Sequence, residues 1–235
     1  MLLYIIRHGD PIYETDSLTE RGFNQAQALS KRLVASGIDA IYCSPLGRAK
    51  LTAEPTAKAL GLEIMIEEWM SEDLAWNSFS AMDEDGKKDW LFAGQNFDFF
   101  QDGDVFRPDW YNHAKVIRCP NAKEGYERIQ AASDNFIQKL GYQRNGSIYK
   151  ILEPSEKRIA AFCHHGLGTS WLSHLLSISP ILFWTSFNIA HTGVTIIEFV
   201  NNDNGITAPK CLVHSDMSHI YESGLPMLYS NETAL

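Results

Sequence analysis

LLYIIRHGD, residues 2–10, decides the fold. Leu2, Leu3, Tyr4, Ile5 and Ile6 form a nearly unbroken apolar run of β-favouring side chains. Such a run reads as a strand covered on both faces, as in a parallel sheet. It ends abruptly in Arg7, His8 and Gly9, placing a cation and an imidazole where open α/β sheets bind their ligands. Gly9 lets the backbone turn and approach a substrate closely. Taken alone, an ordinary strand end explains these residues equally well.

The rest of the chain repeats the pattern. Thr19 reads as the N-cap of a helix over about 20–36, with Phe23, Ala26, Leu29 and Leu33 on one apolar face and Gly37 just past its end. IDAIYC, 38–43, is a second strand. Ser44 is read as a cap and Pro45 as the first helical residue, which puts Arg48 in the opening turn of a helix. By itself Arg48 reads as a surface cation. Pro55 should kink or interrupt that helix. LEIMIEE, 62–68, reads as a strand, and 124–140 as a helix with Ile129, Phe136, Ile137 and Leu140 inward and Gly141 ending it. Residues 145–158 read as a polar loop. RIAAFC, 158–163, is another strand, running into His164, His165 and Gly166 and a helix over about 167–178. GVTIIEFV, 193–200, and a stretch near 209–214 read as paired strands across the NNDNG turn. The tail from 215 reads as loosely structured.

Apolar strands alternating with amphipathic helices predict an α/β fold: three α/β/α layers, a mostly parallel central sheet, one domain over 1–235. If these strands are parallel, Arg7, His8, Arg48 and His165 converge on one rim, where helix N-termini offer free N–H groups to an anion. The segment 73–122 is irregular and carries Trp76, Phe79, Trp90, Phe92, Phe97, Phe99, Phe100, Phe106, Trp110 and Tyr111. It reads as an inserted cap over the site, its aromatics serving mainly as the insertion's own core and secondarily as pocket lining.

Bulk properties narrow the classes of function. Of 235 residues, 45% are hydrophobic and 21% charged, an ordinary composition for a globular protein. The net charge of −9 argues against nucleic acid or an anionic membrane as partner, while leaving room for a locally basic site for a small phosphorylated substrate. Cys43, Cys119, Cys163 and Cys211 are scattered, which reads as reduced thiols in a cytoplasmic protein. No leader sequence and no membrane-spanning run is expected.

Two guanidinium groups, imidazoles and an acid are the makings of a phosphoryl site. Arginine's planar fork matches phosphate oxygens, and phosphoryl transfer depends mainly on positioning and charge neutralisation. Neutral imidazole is a competent nucleophile, and a carboxylic acid can protonate the departing alkoxide and then activate water.

LLYIIRHGD, LTERGFNQAQALSKRL, IYCSPLGRAKLTA and the HG of CHHGLG resemble, in order, the motifs of the histidine phosphatase superfamily, which includes cofactor-dependent phosphoglycerate mutases and fructose-2,6-bisphosphatases. The resemblance covers about 1–72 and 124–200. It implies that His8 is the phosphorylated nucleophile. It further implies that Arg7 and Arg48 bind phosphoryl oxygens, and that His165, with the backbone of Gly166 and Leu167, supports the transferring group. His164 stands where the family needs no histidine and reads as structural. WMSEDLAW matches the family's acid motif loosely: Glu72 is chosen as the acid, with Glu68 and Asp73 as alternatives. In FNIAHTGVTIIEF, Asn188 through Thr192 are placed near the phosphate by the resemblance, but a helix-end asparagine and a packing or surface His191 are favoured. His113, His174, His214 and His219 read as surface or packing residues. No cofactor or metal is implied.

The expected activity is metal-independent phosphomonoester hydrolysis through phosphohistidine. Mutases carry a Trp-Asn pair soon after the first motif, and here the stretch is DPIYET, which weakens the mutase alternative. A phosphatase-like binding protein lacking a working acid is the alternative from another class. A homodimer is left open.

Overall fold

In the computed structural model, residues 1–82, 86–93, 97–101 and 103–229 are described. The central sheet contains β1 (Leu2–Arg7), β2 (Ala40–Cys43), β3 (Ile64–Ile66), β4 (Arg158–Cys163), β5 (Val194–Glu198) and β6 (Lys210–Asp216), in the order β6-β5-β1-β4-β2-β3. The pairs β1–β4, β4–β2 and β2–β3 are parallel. β5 and β6 extend the sheet antiparallel.

Side chains alternate across this sheet as strand geometry requires. Tyr4 and Ile6 of β1 face one layer, where Leu29 and Leu33 of α1 (Glu20–Ser36) pack with Ala49, Ala53 and Ala57 of α2 (Gly47–Leu60). Leu3 and Ile5 face the other layer, with α3 (Glu72–Phe79), α4 (Ala122–Lys139), α5 (His165–Leu175) and α6 (Pro180–Ser186). Here Trp171 is fully buried and its indole N–H donates to Ser133 Oγ at 2.8 Å. The layers are therefore α/β/α, as the sequence predicts.

The register positions the site. Arg7 stands opposite Cys163, and Phe162 opposite Cys43. Residues just past these strands, His8, His164 and Ser44, thus meet at one edge. β5 runs the other way, with Val194 beside Ile6, so its amino end arrives at that same edge.

Local chemistry accounts for α1. Thr19 Oγ1 accepts the Gly22 N–H at 3.0 Å, and Gly37 closes the helix at φ 68°. Several expectations need correction. Phe23 is exposed: Leu29 and Leu33 are the α1 side chains that pack in this apolar layer, and Ala26 is buried beside them in the helix. Ser44 does not cap α2, which starts at Gly47 after Leu46; its hydroxyl accepts the Leu46 N–H and meets His164 instead. α2 continues through Pro55 to Leu60. The helix after β4 begins at His165 and ends at Leu175. The expected loop at 145–158 contains half of a hairpin, Tyr142–Asn145 with Ile148–Ile151, turning at Gly146 (φ 66°) and joined by Ile206–Thr207. The polar strand faces are solvated, so no long apolar run announces them. The tail forms α7 (Ser218–Glu222), where Ile220 and Met217 pack on Ala190.

In the aromatic segment, Phe79, Phe92, Phe99 and Trp110 join the main core, while Phe97, Phe100 and Phe106 are exposed. All four cysteines are free. Among the described residues no helix is long and apolar enough to cross a membrane.

Candidate active site

The end of β1 is held from three sides. The His8 N–H donates to Cys163 O at 3.0 Å, and the Gly9 N–H donates to Thr52 Oγ1 at 2.9 Å. The Thr192 N–H reaches both the Arg7 and His8 carbonyls, at 3.1 and 3.2 Å. Thr192 has φ 56°, costly for a β-branched residue and retained here by those bonds.

His8 is buried, 2% exposed. Its Nδ1 lies 2.7 Å from Gly9 O. A carbonyl only accepts, so Nδ1 carries the proton and Nε2 the lone pair. Burial holds the His8 pKa well below the usual range, aided by His164 and the charge of Arg7. The ring is therefore neutral at physiological pH, the form required of a nucleophile.

Both guanidinium groups predicted for the site are buried, Arg7 at 3% and Arg48 at 7% exposed. Arg7 donates to Ile189 O at 2.7 Å. Arg48 bonds Asp16 Oδ1 at 2.6 Å and lies 5.4 Å from the Tyr13 ring. The positive charge of each acts on His8 and on Glu72. Arg48 is thus not a surface cation.

α5 begins at the same place. Gly166 N–H donates to Glu72 Oε1 and Leu167 N–H to Glu72 Oε2, both at 2.8 Å. A carboxylate on two free amides at a helix N-terminus is the favourable arrangement for an anion there. The amides that the resemblance assigns to phosphate therefore hold Glu72 in this structure. Of the three candidate acids, Glu72 is buried, whereas Glu68 and Asp73 are exposed. Burial pushes the Glu72 pKa up to about 7, against the pull of both amides, Arg48 and Arg7. His165, half-buried, meets Asn188 Oδ1 through Nε2 at 3.2 Å, and the Phe92 ring stands 6.0 Å away. Burial and the Arg7 charge pull the His165 pKa down to about 3. Trp90 lies so close that a Cβ on Gly166 would fall 2.4 Å from its ring. No group of three or more His, Cys, Asp or Glu suited to a metal ion occurs among the described residues.

A family profile described as "Histidine phosphatase superfamily (branch 1)" matches residues 3–211. The chain belongs to this superfamily. Over 79 residues it is 37% identical to the "Probable phosphoglycerate mutase GpmB" of Photorhabdus laumondii, a match spanning 30% of this chain and 37% of that relative. Among solved structures, phosphoserine phosphatase of Entamoeba histolytica in complex with 3-phosphoglyceric acid superposes with a TM-score of 0.59 at 21% identity, covering 93% of this chain and 98% of the other. Bacillus stearothermophilus YhfR superposes at 0.60 with 22% identity over 93% of this chain and 98% of its own. At these identities the structural likeness shows the fold.

The chain gathers two further imidazoles around His8, His164 and His191, neither of which the sequence assigns to the site. His164 is fully buried, its ring 5.1 Å from that of His8 and its Nε2 2.7 Å from Ser44 Oγ. His191, expected as a packing or surface residue, is 7% exposed with its ring 5.6 Å from His8. The available signal for His191 was the antiparallel strand: a strand running opposite to β1 brings the residues before it, not after it, to the rim. His113 and His174 are buried packing residues, beside the Phe99 ring and the Asp134 carboxylate, and His219 is buried with its Nε2 3.0 Å from Thr192 Oγ1.

Proposed function

We propose that this protein hydrolyses small phosphate monoesters without a metal, through a phosphohistidine at His8. The observation that carries the reading is a buried, neutral His8, its Nε2 lone pair available, beside two buried guanidinium groups and a carboxyl that titrates near neutrality. Nε2 attacks phosphorus as the ester oxygen leaves with a proton from Glu72. Arg7, Arg48 and His165 hold the three non-bridging oxygens. Water then attacks phosphorus as Glu72 takes its proton, the P–Nε2 bond breaks, and inorganic phosphate departs from a neutral His8. A carboxyl of pKa about 7 serves both proton transfers. Protonation also weakens the grip of Glu72 on the Gly166 and Leu167 amides, because a carboxyl O–H oxygen accepts poorly. The amides are then available to the phosphoryl oxygens.

The segment 73–122 is read as the cap that chooses the leaving group, with Trp90 and Phe92 against the start of α5 supporting that role. Hydrolysis is also the activity named for the Entamoeba histolytica protein of like fold. Transfer between phosphoglycerates is the second reading, favoured by the 37% identity to a protein named as a mutase and weakened by DPIYET at 10–15. A binding protein without an acid is disfavoured by the buried Glu72.

The test is a phosphate-ester panel assayed in excess chelator with wild type and His8→Ala. Turnover that survives chelator and disappears in His8→Ala supports the proposal. Turnover that persists in His8→Ala overturns it. Monophosphoglycerate isomerised faster than hydrolysed, after priming with the bisphosphate, selects the mutase.

A further inference from the structure

We infer that His191, oriented by Asp10, is a further phosphoryl-binding residue of this site, donating from Nε2 to a phosphoryl oxygen once phosphate is bound. The inference rests on the phosphoryl-transfer reading above. His191 Nδ1 faces Asp10 Oδ1 at 3.6 Å. Its Nε2 is buried and has no hydrogen-bond partner among the described residues. A buried ring nitrogen left unpaired is costly and calls for a partner supplied by a ligand. The nearest ring is that of His8, at 5.6 Å.

Asp10 is held firmly enough to orient the imidazole. Its Oδ1 bonds Arg21 at 2.8 Å, its Oδ2 accepts the Thr19 hydroxyl at 2.6 Å, and its N–H donates to Gln25 Oε1 at 2.8 Å. A Cβ on Gly22 would fall 2.2 Å from Asp10 O, so this loop is pressed against the start of α1. The groups facing His191 are Arg7, His8 and Asp10 from the end of β1, Arg21 from α1 and His165 from α5. Burial first, then Arg7, pulls His191 down to about 3, with Asp10 opposing. The free protein therefore carries it neutral. A phosphate dianion beside it reverses that balance, favouring the imidazolium with Nδ1–H toward Asp10 and Nε2–H toward phosphate. The proton comes from solvent and returns there when phosphate leaves.

The test titrates inorganic phosphate into the whole protein by calorimetry near neutral pH, in two buffers of different ionisation enthalpy. Wild type should bind with net proton uptake. His191→Gln should bind roughly tenfold or more weakly, the loss expected for a hydrogen bond to a charged group. Its uptake should be smaller by up to about one proton. Asp10→Asn should lose part of both. The His191 Cε1–H resonance of wild type should move to its protonated position at saturating phosphate, a readout independent of whether either variant folds. The inference is overturned if that resonance stays neutral, or if folded His191→Gln keeps wild-type affinity and proton count. If wild type binds no phosphate at all, the proposed function fails together with it. If wild type binds and His191→Gln is indistinguishable, this inference alone fails.

Discussion

The two ends of α5 each carry a histidine, and the protein treats them in opposite ways. At the carboxyl end, His174 Nε2 donates to Asp134 Oδ1 at 2.8 Å and its Nδ1 meets Gln130 Nε2 at 3.2 Å. Arg144 bonds the same carboxylate at 2.7 Å and the His174 carbonyl at 2.8 Å. Burial pushes Asp134 up, but His174 and Arg144 pull harder, and it lies below the usual carboxylate range. At the amino end, His165 faces the Asn188 amide and the charge of Arg7, and among the described residues no carboxylate bonds it. One end closes its charges internally. The other surrounds neutral imidazoles with guanidinium groups, an arrangement that favours an arriving anion.

Experiments can break that contrast. The largest effect is expected at the rim: His8→Ala should lower kcat by at least about 10⁴-fold, as losing a nucleophile does elsewhere, with the melting temperature near wild type. Next, Glu72→Gln should cost roughly 10²- to 10⁴-fold on alkyl phosphates and clearly less on p-nitrophenyl phosphate, whose leaving group needs no acid. Wild-type kcat/KM should fall as pH rises through about 7, and the same variant should lose that fall. Equal losses on both esters would assign the acid elsewhere.

The same rim imidazoles should make stability depend on pH. His165 and His191 sit near 3 and His219 near 4, while His8 and His164 lie well below the usual range. The folded protein therefore binds fewer protons than the unfolded chain between those values and about 6.5, and loses stability as pH falls through that window. Glu72, raised to about 7, acts in the opposite sense between about 4.5 and 7, but it is one group against several. Urea midpoints measured across this range should fall toward acid. A flat profile would mean that the rim imidazoles are solvated.

The smallest effect belongs to the paired end. Asp134→Asn should cost about 1–2 kcal/mol by urea unfolding and leave kcat/KM unchanged. A loss of turnover there would show that the two ends communicate.

Much of this was legible in the chain because strand and helix periodicity is local. Leu3 through Ile6, Ala40–Cys43 and Arg158–Cys163 announce buried strands, and Thr19 and Gly37 bracket α1. The hairpin at 142–151 was not legible, since alternating polar residues with a single glycine turn resemble a loop. Phe23 misled because helical spacing does not say how wide the buried stripe is.

The α/β alternation, and the delivery of Arg7, His8, Arg48 and His165 to strand ends and helix starts, can be read along the chain alone. These follow from residue order and from side-chain periods that need only near neighbours. Strand order, the reversed entry of β5 that carries His191 beside His8, and the burial of Glu72 where Glu68 and Asp73 stay exposed emerge only in three dimensions. Each depends on register and burial between segments far apart in the chain, and burial is what makes the His8 ring neutral and the Glu72 carboxyl a weak acid.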